Sequence, residues 1–213
     1  AYQAAEAILA EKNTLEDFNA ETYTLPNNYQ SVENITALER GMSSNYTQAA
    51  VLSEALASLY KEGDLRLDAY FKAADKNGYR FSQKSGKDDF RCSFRVGEMY
   101  LNSAEAAAQS DKLPQARTRL LELMQKRYTP EVYTVKATAV NAMTKEALIQ
   151  EILDERAREL AFEGHRWFDL RRTTRPRIEK VLKGGTYVLE QDDSRYTIQI
   201  PREAIAANPE LSN

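Results

Sequence analysis

Apolar side chains recur every three or four residues along several stretches of the chain, a spacing typical of helices that bury one face. The pattern predicts helices over residues 2–12 and 47–60, and over two longer segments, FRVGEMYLNSAEAAAQ and LPQARTRLLELMQKRY. Because only a short Ser-Asp-Lys linker separates the longer segments, they predict an antiparallel helical hairpin. Pro114 begins the second of these helices, where a missing amide hydrogen costs nothing.

Another long helical pattern follows Thr144, whose side chain is suited to cap the first free amides. Its apolar positions continue to about Glu163, and Gly164 then predicts a left-handed residue that ends the helix. The next segment, HRWFDLRR, predicts a second helix that leaves this corner at an angle.

Other parts of the chain lack the helical pattern. Residues 14–46 collect polar and aromatic side chains, which predicts a long ordered loop or a set of turns, and such loops tend to be functional. Residues 75–89, with Asn77-Gly78 and Gly86, predict a hairpin or turn around the strand-like YRFSQ. Near the end, TYVLE and YTIQIP predict strands before a short REAIAAN segment. The expected fold is mainly α, with small β additions.

Composition and charge exclude some classes of protein. The 213 residues carry 29 basic and 32 acidic side chains, a net charge of −3, so the positive field that nucleic-acid binding needs is missing. No apolar run approaches the roughly 20 residues that a membrane-spanning helix requires. The single Cys92 excludes an internal disulfide.

Candidate catalytic residues are few. His165 is the chain's only histidine, and with a single cysteine it cannot assemble a typical zinc site. No G-x-S-x-G turn is present to supply a nucleophilic serine. Trp167 and Phe168 are adjacent, so on a helix they point about 100° apart and cannot form one flat ligand platform. We therefore expect His165 to bond free carbonyls at a helix end and the two rings to pack in the core.

Charged residues around the corner at Gly164 follow one another at intervals of three and four. They are Glu155, Arg158, Glu159, Glu163 and Arg166. Two carboxylates one turn apart are compatible with general acid and base chemistry, but the intervening arginines favour a lattice of ion pairs along one helix face and across the corner. We expect the structural role.

The segment ILDERARELAFEGHRWFDLRR closely resembles the C-terminal signature of the SusD/RagB family of bacterial outer-membrane nutrient-binding lipoproteins. YKEGDLRLDAYF, the predicted helical hairpin and YTIQIPREAIAANPEL resemble other parts of the family in the same order. The resemblance implies a mainly α fold of tetratricopeptide-like helical hairpins with irregular loops. It also implies that the signature is architectural, with structural roles for Glu155, Arg158, Glu159, Gly164, His165, Arg166, Trp167 and Asp169.

The same resemblance implies a function. It predicts non-enzymatic binding of an oligosaccharide or related nutrient at the bacterial cell surface and delivery to a SusC-like TonB-dependent transporter, with no metal, cofactor or nucleic acid. Family members are about twice this length, so residues 1–213 are expected to be the C-terminal part of a single SusD-like domain. The lipoprotein signal, the lipid anchor and further helical repeats would then lie outside this chain.

Two other functions remain open from the residues alone. Residues 91–127 could form a helical-repeat module that binds a partner helix or peptide in a groove. A glycosidase would need two carboxylates that face each other across a cleft, which a sequence does not reveal.

The loop from Asn19 to Tyr46 is the expected ligand-binding segment, because aromatic rings stack on sugar C–H faces and amides bond the hydroxyls. The candidate contacts are Tyr23, Tyr29, Tyr46 and Asn28. The alternative is that these tyrosines pin an irregular loop to the core. We expect at least one of the three rings to be exposed.

Overall fold

The structure is a computed structural model that describes residues 1–26, 28–37, 39–40, 50–84, 90–91, 94–182 and 184–211. The chain divides into two compact units, residues 1–163 and residues 164–213. Most regular structure in the described residues is helical, and their strands pair only in twos. The predicted class, mainly α with small β additions, is confirmed.

Seven helices can be placed in the described part of the first unit: α1 (Tyr2–Glu11), α2 (Glu54–Ala57), α3 (Arg66–Tyr70), α4 (Val96–Gln109), α5 (Leu113–Gln125), α6 (Pro130–Ala142) and α7 (Lys145–Glu159). Helices α4 and α5 pack against each other across their short linker, which confirms the predicted hairpin. Pro114 lies in the first turn of α5. Thr144 caps α7, because its hydroxyl accepts a 3.3 Å hydrogen bond from the amide of Ala147.

Helix α4 lies at the centre of the first unit and packs against α1, α5 and α7. Its small buried residues, Ala104, Ala107 and Ala108, allow the neighbouring helices to approach closely. The partners bring larger apolar side chains to the same core: Leu9, Leu120, Leu123, Leu148 and Ile152. A second, smaller core contains Phe18, Tyr60, Tyr70, Phe71 and Ala161.

Short strands join the loops of the first unit. Strand β1 (Asn34–Thr36) pairs antiparallel with β4 (Phe94–Arg95), and β2 (Glu39–Arg40) with β3 (Phe90–Arg91). The predicted turn at Asn77-Gly78 is present, with Gly78 at a φ of +83° and its amide donating to the carbonyl of Asp75.

The second unit begins with α8 (His165–Arg172) and continues into a hairpin of β5 (Ile178–Leu182) and β6 (Gly185–Leu189). A 3-10 turn (Ser194–Tyr196), α9 (Arg202–Ala207) and another 3-10 turn (Pro209–Leu211) complete it. Among the helices of both units, within the described residues, none has the length and apolar character needed to cross a bilayer.

The structure corrects several predicted elements. In the described part of residues 47–60 the helix is limited to Glu54–Ala57, because Val51 pairs with Phe81 and the amide of Leu52 donates to the carbonyl of Arg80. Helix α6 was missed, although Pro130 is a good first residue for a helix. Helix α7 ends at Glu159, and turns fill the residues up to Gly164.

The strand prediction for the tail was half right. TYVLE belongs largely to β6, but its partner is β5, which was missed. YTIQIP is not a strand. Its first residue belongs to a 3-10 turn, which Asp193 caps by accepting a 2.8 Å hydrogen bond from the amide of Arg195.

Candidate ligand-binding loop and the buried ion cluster

The carboxylate of Glu16 organises the loop that follows α1. It accepts hydrogen bonds from the Ser31 hydroxyl at 2.7 Å, from the amide of Val32 at 3.0 Å and from the amide of Thr24 at 3.2 Å. The amide of Phe18 donates to the carbonyl of Lys126 at the end of α5. The loop is irregular in its backbone, yet these bonds fix it to the helical core.

Two of the predicted ligand contacts present part of their surface to solvent. Tyr23 is 40% exposed and Tyr29 is 39% exposed. The ring of Tyr23 also stacks on the buried ring of Phe18, with centroids 4.4 Å apart. Tyr23 therefore pins the loop to the core and leaves part of its surface exposed.

Asn28 has a structural role within the loop. Its side-chain oxygen accepts a 2.9 Å hydrogen bond from the amide of Gln30, as in turns that asparagine stabilises. Tyr46 lies outside the described residues. The structure thus locates Tyr23, Tyr29 and Asn28 in the loop fixed by Glu16.

A group of charged side chains lies buried where α7 meets the loops of the first unit. We define this buried ion cluster as five cations, Arg66, Lys84, Arg95, Arg127 and Arg158, with five carboxylates, Glu33, Asp64, Glu155, Glu159 and Glu163. The five positive and five negative charges balance, so each charged group that folding removes from water has a counter-ion within the cluster. A buried ion without one would cost several kcal/mol, on the order of 3–5.

Glu159 is the centre of the cluster. Its carboxylate accepts hydrogen bonds from Arg95 at 2.7 Å, from Arg127 at 3.0 Å and from Arg66 at 3.1 Å. Glu155, one turn earlier on α7, lies 2.6 Å from both Arg66 and Arg158. The arginines thus bridge carboxylates that would otherwise repel each other.

The pKa values of these carboxylates reflect their partners. Burial alone raises the pKa of Glu155 and the pKa of Glu163. Neighbouring cations lower these two pKa values by more than burial raises them, so both fall to about 2. For Glu159 the charges of Arg127, Arg95 and Arg66 outweigh burial in the same way and lower its pKa. A general acid must hold a proton near neutral pH. Carboxylates this acidic suit ion pairing, not proton donation.

Gly97 on α4 leaves room for the cluster. A Cβ atom there would lie 2.4 Å from the Arg95 guanidinium, 3.0 Å from a Glu33 carboxylate oxygen and 3.1 Å from one of Glu159. These atoms are held in ion pairs and cannot retreat without loss. Gly97 is therefore required for space.

Most members of the cluster were missed from the sequence. Arg66, Arg95 and Arg127 reach α7 from three segments that are far apart along the chain. Each lies in or beside an apolar helical pattern, and a charge in such a pattern is a signal of a buried partner. The pattern does not identify that partner.

The signature residues after the corner belong to the second unit. Gly164 has a φ of +89°, as predicted, and precedes α8, which His165 begins. Asp169 is buried and accepts two hydrogen bonds from Arg172, at 2.7 and 3.0 Å. Arg166 was expected to extend the ion-pair lattice, but its side chain is exposed on α8.

The expectation that Trp167 and Phe168 pack in the core is wrong. Trp167 is 36% exposed and Phe168 is 63% exposed. Trp167 instead stacks on the buried ring of Tyr196, with centroids 5.2 Å apart and the planes 10° from parallel. The hydroxyl of Tyr196 donates to the carbonyl of Pro176, which fixes the supporting ring.

Replacing Gly164 with Val is expected to lower the free energy of unfolding by about 1–2 kcal/mol, because a side chain destabilises the left-handed conformation. A Cβ at this position would meet no atom within 4 Å, so the cost is conformational. Gly164→Asn is the matched control, since Asn tolerates this conformation best among residues with a side chain. Equal losses for both variants in urea denaturation would contradict this explanation.

Within residues that the structure describes, no group of three or more His, Cys, Asp or Glu side chains is arranged to hold a metal ion. Cys92 lies outside these residues.

Comparisons with known proteins place these features in context. The family model described as the SusD family matches residues 22–213. A SusD superfamily protein from Bacteroides thetaiotaomicron is 22% identical in sequence, with a TM-score of 0.71; the match covers 98% of this chain and 54% of the other protein's chain. A SusD superfamily protein from Bacteroides fragilis is 20% identical, with a TM-score of 0.71; the match covers 99% of this chain and 51% of the other protein's chain.

A SusD-like carbohydrate binding protein from Bacteroides vulgatus has 18% identity and a TM-score of 0.66, over 100% of this chain and 55% of its own. The chain thus spans about half the length of the solved structures it matches. No curated protein matches the chain.

Proposed function

Because the chain belongs to the SusD family, we propose that it takes part in binding an oligosaccharide or a related nutrient at the bacterial outer-membrane surface. The bound nutrient would pass to a SusC-like TonB-dependent transporter. The match of the family model to residues 22–213 is the observation that carries this proposal. The likeness of fold to a SusD-like carbohydrate binding protein from Bacteroides vulgatus supports it.

The loop after α1 offers suitable chemistry for such a ligand. Tyr23 and Tyr29 are each about two-fifths exposed, at 40% and 39%, on a backbone that Glu16 holds in place. A preorganised ring can cover the C–H face of a sugar without a large entropy cost. Binding of this kind needs no proton transfer and no metal.

The alternative of a peptide-binding helical hairpin is less well supported. A groove for a partner helix would need exposed apolar side chains on α4 and α5. Leu101, Leu120 and Leu123 of this hairpin are instead fully buried in the core. The hairpin therefore contributes to packing.

Replacing Tyr29 with Ala is expected to weaken oligosaccharide binding by about 1–2 kcal/mol, the scale of lost ring contacts, and to leave the fold intact. Isothermal titration calorimetry with a panel of oligosaccharides measures this loss. Tyr79→Ala is the matched control, because Tyr79 is 53% exposed in the turn beside Gly78. If Tyr23→Ala, Tyr29→Ala and Tyr46→Ala all bind a confirmed ligand as the wild type does, the ligand site is not in this loop.

A further inference from the structure

A pocket of about 270 Å³ lies on the second unit, between α8 and the β5–β6 hairpin. One wall is Trp167 of α8. The opposite wall is one face of the hairpin, where Ile178 pairs with Leu189 and Lys180 pairs with Tyr187. Residues paired directly across two strands share a face, so these four side chains form a continuous surface.

The aromatic walls are available for contact. Trp167 is 36% exposed, and its ring is supported by the stacked ring of Tyr196. Tyr187 is 62% exposed. The Trp167 ring is therefore held in one orientation and still presents surface to the pocket. A fixed ring of this kind suits a ligand that has a flat apolar face.

The charges at the rim favour an anion. Arg195 is neutralised by Asp193, with N–O distances of 2.9 and 2.6 Å. Lys180 is exposed and forms no ion pair with any residue that the structure describes. The pocket thus combines an apolar floor with one uncompensated ammonium group.

We propose that this pocket binds a sugar unit that carries a negative charge. Trp167 covers the C–H face of the sugar ring, Tyr187 contacts its edge, and Lys180 pairs with the acidic substituent. The volume is slightly below the roughly 300–1,000 Å³ of pockets for drug-sized ligands, which suits one or two sugar rings. This inference rests on the proposed function and adds a second contact point and a ligand class to it.

The chain's single tryptophan makes the test specific, because all indole fluorescence comes from Trp167. The probes are trigalacturonate, its neutral methyl ester and a sulfated galactose oligosaccharide of equal length. Each is titrated into the 213-residue protein at low salt, by indole fluorescence and by calorimetry. We expect an anionic probe to change the fluorescence and to bind about 5–10-fold more tightly than the ester, since charge-assisted bonds are the stronger kind.

Variants separate the two contacts. Lys180→Gln is expected to remove the preference for the anionic probe, whereas Tyr187→Ala weakens the acid and the ester alike. Lys61→Gln is the matched control, because Lys61 is exposed and lies in the other unit. Tighter binding of trigalacturonate or of the sulfated probe shows which acidic group is preferred, and both results support an anionic sugar.

Other outcomes overturn the proposal. Equal affinity for acid and ester, unchanged in Lys180→Gln, means that the pocket does not recognise the negative charge, which overturns the proposal of an anionic sugar. A different outcome is that an oligosaccharide binds by calorimetry, leaves the indole fluorescence unchanged and loses its binding in Tyr29→Ala. That result excludes this pocket as the ligand site and is compatible with the proposed function. If no oligosaccharide binds by calorimetry, this proposal fails, and with it the oligosaccharide form of the proposed function.

Discussion

Replacing Glu159 with Ala is expected to lower the free energy of unfolding of the first unit by about 4 kcal/mol, or to prevent folding. The change removes the carboxylate that lies between Arg66, Arg95 and Arg127 and leaves three buried guanidinium groups short of a counter-ion. Since small proteins are stable by only about 5–15 kcal/mol, this loss is a large part of the total stability. Urea denaturation followed by circular dichroism measures it.

Two further variants isolate the role of charge. Glu159→Gln keeps the shape of the side chain and removes only its charge, so it should also be strongly destabilised. Glu146→Gln is the matched control, because Glu146 is exposed at the start of the same helix, α7. A Glu159→Gln variant as stable as Glu146→Gln would show that the cluster contributes shape rather than ion pairing.

The first unit is expected to lose stability steeply as the pH falls from about 4.5 to about 2. Cations near Glu155 and Glu163 lower the pKa of each carboxyl from 4.5 to about 2 in the folded chain. As the pH falls, these carboxylates therefore take up protons at a higher pH in the unfolded chain than in the folded chain. The stability that they contribute above pH 4.5 is lost as the pH falls to their pKa in the folded chain. Each carboxylate contributes about 3 kcal/mol by this linkage.

Urea midpoints measured at several pH values between 7 and 2.5 test this dependence. The Glu163→Gln variant has one such carboxylate fewer, so its stability should be lower at pH 7 and fall less steeply with acid. A wild-type protein whose urea midpoint stays constant down to pH 3 would contradict the low pKa values of the cluster.

Local signals in the sequence predicted the helical framework well. Thr144 marks a helix start because its side chain can accept a hydrogen bond from a free amide, and Pro114 marks one because it has no amide hydrogen to donate. Both residues lie at helix starts, as predicted. Gly164 was identified from its tolerance of positive φ. Each of these effects depends on the neighbouring few residues alone, which is why a sequence reveals it.

Features that depend on distant partners were not predictable in this way. The helical pattern of residues 47–60 is interrupted because Val51 pairs with Phe81, thirty residues further along. Trp167 looked like a core residue from its size, but Tyr196 covers only part of it. For the candidate loop, polar and aromatic composition indicated Tyr23 and Tyr29, while the role of Glu16 in fixing the loop depends on residues brought close by folding.

The buried ion cluster also affects how cooperatively the first unit can fold. Its partners are up to 94 residues apart, as for Arg127 and Glu33, and contacts of such separation form slowly because long loops must close first. An intermediate that has brought in only some segments buries charges without counter-ions, at a cost of about 3–5 kcal/mol for each broken pair. Partly assembled cores are thus disfavoured, and native packing of this unit becomes close to an all-or-none event.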